Sequence, residues 1–79
     1  MSNLEIYNKA FLEVFSIDAA ILNDDFSKET ADNWDSVRQL AIVTLLEDNF
    51  DIMLDTPEIT GFTSYKKGKE ILAKYDIII

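Results

Sequence analysis

The triplet Asp35-Ser36-Val37 sets a hydroxyl beside a carboxylate, directly ahead of a long run of apolar residues at helical spacing. A serine in that place lies near the positive end of a helix dipole, among backbone N–H groups without helical partners. A phosphodiester formed on its oxygen would be stabilised there. The same residues have a plainer use. Ser36 with Gln39 fits a capping box, Asp35 is a good cap in its own right, and Asp-Ser before a helix more often caps than carries a modification. A second candidate chemistry is calcium binding by Asp24, Asp25, Asp32 and Asp35. An EF-hand loop starting at Asp24 would put Phe26 and Lys28 at ligand positions and lacks the glycine its turn requires, which argues against it.

The residue types that are missing narrow the chemistry further. The 79 residues include no histidine and no cysteine, so the commonest general base, the commonest soft metal ligands and any nucleophilic thiolate are absent. Self-contained hydrolytic catalysis is not expected, and neither is stabilisation by disulfides. With 48% hydrophobic residues, a chain of this length supports one small domain, residues 1–79, whose stability has to come from packing.

The formal charge of −8 is concentrated in the middle of the chain. Between residues 18 and 58 eleven acids face only Lys28 and Arg38, a net of −9, while the remainder carries +1. Such a field repels nucleic acid and anionic membranes and attracts basic protein surfaces, more strongly at low salt. The N-terminus lacks the basic and apolar regions of a signal peptide, and no apolar stretch approaches the length of a membrane span. A soluble, cytoplasmic monomer is expected.

Four helical segments position these residues. Leu4, Tyr7, Phe11, Val14 and Phe15 recur at helical spacing behind a Ser2/Glu5 capping box, which predicts a first helix over Asn3–Phe15. Residues 17–35 read as a long acidic loop pinned by Ile21, Leu22, Phe26 and Trp34; loops of that length are uncommon in small domains and are often functional. A second helix is expected over Ser36–Phe50, with Gln39, Ile42, Val43, Leu46 and Phe50 on its core arc. Val37, Ala41 and Thr44 face the opposite way with Asp48, flanked by Leu40 and Glu47, so the wet side of this helix is partly apolar and suits a docking partner. Leu45 falls among the outward set without a reason of its own. Thr56-Pro57-Glu58 ahead of Gly61 brackets one short turn, with Thr56 as its cap. Tyr65, Gly68, Ile71, Leu72 and Tyr75 define a last helix behind Thr63 or Ser64, weakened at Gly68 by about 1 kcal/mol relative to alanine. The tail Ile77-Ile78-Ile79 is apolar enough to be either docked or adhesive.

Three parts of this pattern occur together in a known family. The run Asn33-Trp34-Asp35-Ser36-Val37, the aliphatic helix closing in Leu46-Glu47-Asp48-Asn49-Phe50-Asp51-Ile52, and Phe62-Thr63-Ser64-Tyr65 resemble an acyl or peptidyl carrier protein. The likeness covers essentially the whole chain. It implies an all-α, acyl-carrier-protein-like four-helix bundle with one short helix and a long loop between helices one and two. It further implies that Ser36, preceded by Asp35, receives 4′-phosphopantetheine from coenzyme A through a separate Mg²⁺-dependent phosphopantetheinyl transferase. The arm then holds acyl or aminoacyl groups as thioesters, in fatty acid, polyketide or related specialised biosynthesis, and its thiol makes good the absent cysteine. By the same resemblance Val37, Leu40, Ala41, Thr44, Glu47 and Asp48 meet the transferase and the loading and synthase enzymes, whose docking surfaces are basic. Asn33 stands where the family usually has glycine, Val37 where it has leucine or isoleucine, and Arg38 where acids are common. Two alternatives remain beside this reading: an aminoacyl cargo such as D-alanine, and an unmodified acidic interaction module in which Ser36 only caps the helix.

Overall fold

Ser2 and Glu5 close a reciprocal cap in the computed structural model, which describes residues 2–79. The Ser2 hydroxyl accepts the Glu5 N–H at 3.1 Å and the Glu5 carboxylate accepts the Ser2 N–H at 3.2 Å. From this cap α1 runs over Asn3–Phe15, the bounds expected from its periodicity. It ends at Ser16 in the left-handed region (φ 52°), whose N–H donates to the Leu12 carbonyl at 2.9 Å. One short 3-10 turn, Ala19–Ile21, interrupts the long loop. Three helices follow: α2 over Ser36–Phe50, α3 over Thr56–Thr60 and α4 over Tyr65–Ala73. The protein is therefore small and all-helical, of the size and element order expected; among the described residues there are four α-helices and the only extended pairing is a single bridge between Ser27 and Ser64.

An aromatic cluster centred on Phe11 forms the core. This fully buried ring lies 4.9 Å from Tyr7, 5.7 Å from Phe15, 6.0 Å from Trp34 and 5.3 Å from Tyr65, centroid to centroid, with Phe26 and Phe62 just beyond. Ile42, Val43 and Leu46 of α2 and Ile71 and Leu72 of α4 complete it. Each well-placed aromatic pair adds roughly 0.5–1.5 kcal/mol beyond its buried area. The loop joins the bundle through this cluster and through its backbone. Phe26 and Trp34 are buried, the Tyr65 N–H donates to the Phe26 carbonyl at 2.9 Å, and the Lys28 N–H donates to that of Thr63 at 2.8 Å. Leu22 is half-buried and packs against the core, so of the four expected pins only Ile21, at 52% exposed, departs.

Other details depart from the periodicity. Leu4 begins the apolar repeat yet is 42% exposed, since it lies in the first turn at the edge of the bundle. Leu45, for which the helical period gave no reason, is half-buried between the core and the outward side of α2. The cap of α3 is Asp55 rather than Thr56: the Glu58 carboxylate reaches back to accept the Asp55 N–H at 3.0 Å, and Thr56 is already helical. That carboxylate also accepts the Tyr75 hydroxyl, tying α3 to the end of α4. The bond from Tyr75 holds Glu58 below the usual carboxylate range, and the same bond, followed by burial, pushes the Tyr75 hydroxyl up to about 12. Ser64 caps α4, accepting the Lys67 N–H at 2.8 Å. The isoleucine tail is docked in part: Ile77 is buried and its N–H donates to Leu72, and Asn3 donates to the Ile78 carbonyl at 3.2 Å, while the Ile78 side chain stays exposed.

Gly68 takes on a meaning that propensity alone does not convey. It is buried in α4, where a Cβ would collide with the Tyr7 hydroxyl and the Phe62 ring. Tyr7 meanwhile donates to the Tyr65 carbonyl at 2.5 Å, which requires α4 to lie this close to α1. Overpacking at such a site costs about 1–3 kcal/mol, against about 1 kcal/mol gained in helix propensity. Gly68→Ala is therefore expected to lower the unfolding free energy by up to about 2 kcal/mol in urea titration; a higher midpoint would show that α4 has room to spare.

Candidate functional site

The N-terminus of α2 is built by Asp35. Its backbone is extended (φ −108°, ψ 179°), one carboxylate oxygen accepts the Arg38 N–H at 2.8 Å, and the other meets the Arg38 guanidinium at 3.1 Å. The Arg38 N–H, with its guanidinium adding to the effect, holds the Asp35 carboxyl below the usual range. Arg38 is thus half-buried and paired within the turn rather than presented as a lone positive charge.

With Asp35 as cap, Ser36 becomes the first helical residue and its side chain is exposed. The alternative capping box between Ser36 and Gln39 does not form. Gln39 turns the other way: its Oε1 accepts the Trp34 indole N–H at 3.2 Å, and its Nε2 donates to the carbonyls of Ile59 at 2.9 Å and Thr60 at 3.1 Å. Gln39 is accordingly a half-buried polar bridge and not part of an apolar arc. Asn33 anchors the same segment from the other side, donating to the Phe15 carbonyl at the end of α1 at 2.9 Å.

Five of the six residues expected to meet partners share one surface. Val37 (74% exposed) and Leu40 (56%) are joined by Ala41, Thr44 and Asp48, and with Glu13, Val14 and Leu45 they line a shallow, mostly apolar groove of about 590 Å³ between α1 and α2. It begins one residue beyond Ser36. Glu47 stands apart from it. That side chain is half-buried, and its carboxylate accepts the Leu54 N–H at 2.8 Å, so it braces the connection between α2 and α3. The acids of the loop do not gather: among the described residues no three His, Cys, Asp or Glu side chains are placed to hold a metal ion, and Asp24 is turned to Lys69 at 3.9 Å. Among the described residues no helix is long and apolar enough to cross a membrane.

A second concavity of about 510 Å³ lies under the long loop, lined in part by Phe15, Ile17, Ile21 and Asn33. Sequence reasoning did not anticipate it, because the loop is irregular and its lining comes from residues without a common period. The Gln39 bridge did leave a trace in the sequence, as a single amide on an arc otherwise composed of Ile42, Val43 and Leu46. Comparison with protein-family models, with curated proteins and with solved structures gives no match to this chain.

A folded-state pKa held down at Asp35 stabilises the folded chain above the unfolded value, and that contribution is lost as pH falls through the folded one. The stability gap between wild type and Asp35→Asn, measured as urea midpoints, is therefore expected to narrow as pH is lowered from 7 to below about 4. A gap constant across that range would mean that the carboxylate charge contributes nothing to the cap.

Proposed function

We propose that this chain is an acyl-carrier-type protein that bears acyl or aminoacyl groups on 4′-phosphopantetheine attached to Ser36. The observation that carries the reading is the division of labour at the start of α2. Asp35 makes the cap, Gln39 is engaged elsewhere, and Ser36 is left exposed at the first helical position with no structural task to account for it. This weakens the reading in which Ser36 is only a cap. The site also suits the group chemically. A phosphodiester on Ser36 Oγ would lie at the first turn of a helix fifteen residues long, next to the Asp35 carboxylate, whose charge is offset by the Arg38 N–H and guanidinium.

Attachment requires an enzyme from outside, since this chain has no histidine to serve as base. Ser36 Oγ displaces adenosine 3′,5′-bisphosphate from coenzyme A, forming the phosphodiester while its proton passes to the transferase. Once attached, the arm supplies the thiol on which a thioester is held. The chain's own part is to present Ser36 and to dock: the strip Val37, Leu40, Ala41 and Thr44 offers apolar contact, and Asp48 with the wider acidic field favours basic partners. Carriage of this kind makes the chain a substrate of other enzymes rather than a catalyst, and we place it in the cytoplasm, where coenzyme A and such transferases meet.

Incubation of the apo-protein with coenzyme A, Mg²⁺ and a promiscuous phosphopantetheinyl transferase is expected to add the mass of one phosphopantetheinyl group. Ser36→Ala, an exposed change, should fold normally and gain nothing. An unchanged wild-type mass with several such transferases would rule the carrier reading out.

A further inference from the structure

Gln39 occupies a mechanical position between the Ser36 segment and α3. Its amide orientation follows from its partners: an indole N–H can only donate and must face the oxygen, whereas two backbone carbonyls can only accept and must face the nitrogen. Both N–H donors of the amide are thereby used. The carbonyls belong to Ile59 and Thr60, at the C-terminal end of α3; that of Ile59 also accepts the Phe62 N–H at 3.3 Å. The indole belongs to Trp34, two residues before Ser36, and Gln39 itself lies three residues after it. The bridge therefore closes the chain around Ser36, outside the inner bracket made by Asp35 and Arg38.

Each end of this bridge is firmly held. Trp34 is 5% exposed and packs 4.8 Å from Phe15 and 5.6 Å from Phe26. At the other end α3 is tied to α4 through Glu58 and Tyr75. Gln39 is the joint between the two. Ser36 has an exposed side chain, so the angle at which its hydroxyl is offered depends on the backbone that this joint sets.

We propose that Gln39 is a positioning residue for the modification of Ser36: by locking Trp34 to the end of α3, it fixes the direction in which the Ser36 hydroxyl meets the transferase. The proposal rests on the carrier reading. Its effect belongs in the transfer step rather than in docking, because the Gln39 side chain does not line the outward groove of Val37, Leu40, Ala41, Thr44 and Asp48. Displacement of a reacting atom by about 1 Å can cost as much as a hundredfold in rate.

Two variants test the joint. Gln39→Met keeps length and removes all three bonds; Trp34→Phe keeps one aromatic ring and removes the indole donor together with part of the buried ring system. With apo-protein, coenzyme A and a promiscuous transferase, kcat is expected to fall about tenfold for Gln39→Met and severalfold for Trp34→Phe, with KM for the carrier within about twofold of wild type. Unchanged kcat in both variants, or a loss confined to KM, would overturn the proposal. Should Gln39→Met fail to fold, Gln39→Glu, which keeps an oxygen for the indole and removes the two donors to α3, decides it by the same criterion. If no transferase modifies the wild type, the carrier reading fails and this role in transfer fails with it. The joint is then judged by backbone amide shifts in Trp34→Phe: changes reaching Thr60 and Gly61 show that it couples the two segments, and changes confined to residues 33–40 show that it does not.

Discussion

The packing of Trp34 and Phe26 onto Phe11 and Phe15 is the contact on which the rest of the arrangement depends. A long acidic loop has little reason to hold one conformation: its charges repel one another, and ordering each residue costs about 1–2 kcal/mol of backbone entropy. The two buried rings, at 6.0 Å and 6.2 Å from Phe11, offset that cost and bring the end of the loop to a definite place on the bundle. Once Trp34 is fixed, Asp35 follows in an extended conformation, its carboxylate falls over the first turn of α2, and Ser36 begins the helix with its side chain outward. A shift of one residue in the start of α2 would make Ser36 the cap and remove it from any role on the surface.

Polar side chains then connect the irregular segments to the helices. Asn33 joins the loop to the end of α1, Gln39 joins the loop and α2 to α3, Glu47 joins α2 to the connection that follows it, and Tyr7 joins α1 to α4. Among the described residues no buried side-chain nitrogen or oxygen lacks a partner. In a chain with no disulfide these bonds matter less for their net energy, about 1 kcal/mol each, than for the penalty of leaving any one unmade. They confine the segments to one arrangement. The apolar groove between α1 and α2 remains outside this network, and there the acidic rim of Glu13 and Asp48 surrounds Val14, Val37, Leu40 and Leu45.

The helices were legible because each carries both a period and a punctuation mark. Ser2 with Glu5 opens α1, and the bounds of α1 and α2 match the expected ones. Where the mark was ambiguous the reading slipped by a residue, as with Thr56 for Asp55, since both can cap and only the reach of Glu58 decides between them. The ends of α1 and α2 were legible without a glycine to mark them, since Ser16 and Asp51 adopt the left-handed conformation there, at φ 52° and 55°. The packing reason for Gly68 was not legible because propensity is local, whereas that reason is the approach of Tyr7 from another helix. The outward strip was legible from the wheel in five of six positions. Glu47 departed from it because its partner, the Leu54 N–H, lies in a loop that no periodicity describes.

The central claim is that Ser36 is exposed in order to be modified. It is tested most directly by isolating the protein from its own cells under conditions that spare thioesters, and by mass spectrometry of the peptide that contains Asp35-Ser36-Val37. The account predicts a phosphopantetheinyl group on Ser36 in a substantial share of the molecules, with any remaining mass on its thiol identifying the cargo. A Ser36 peptide recovered only in its unmodified form would contradict it.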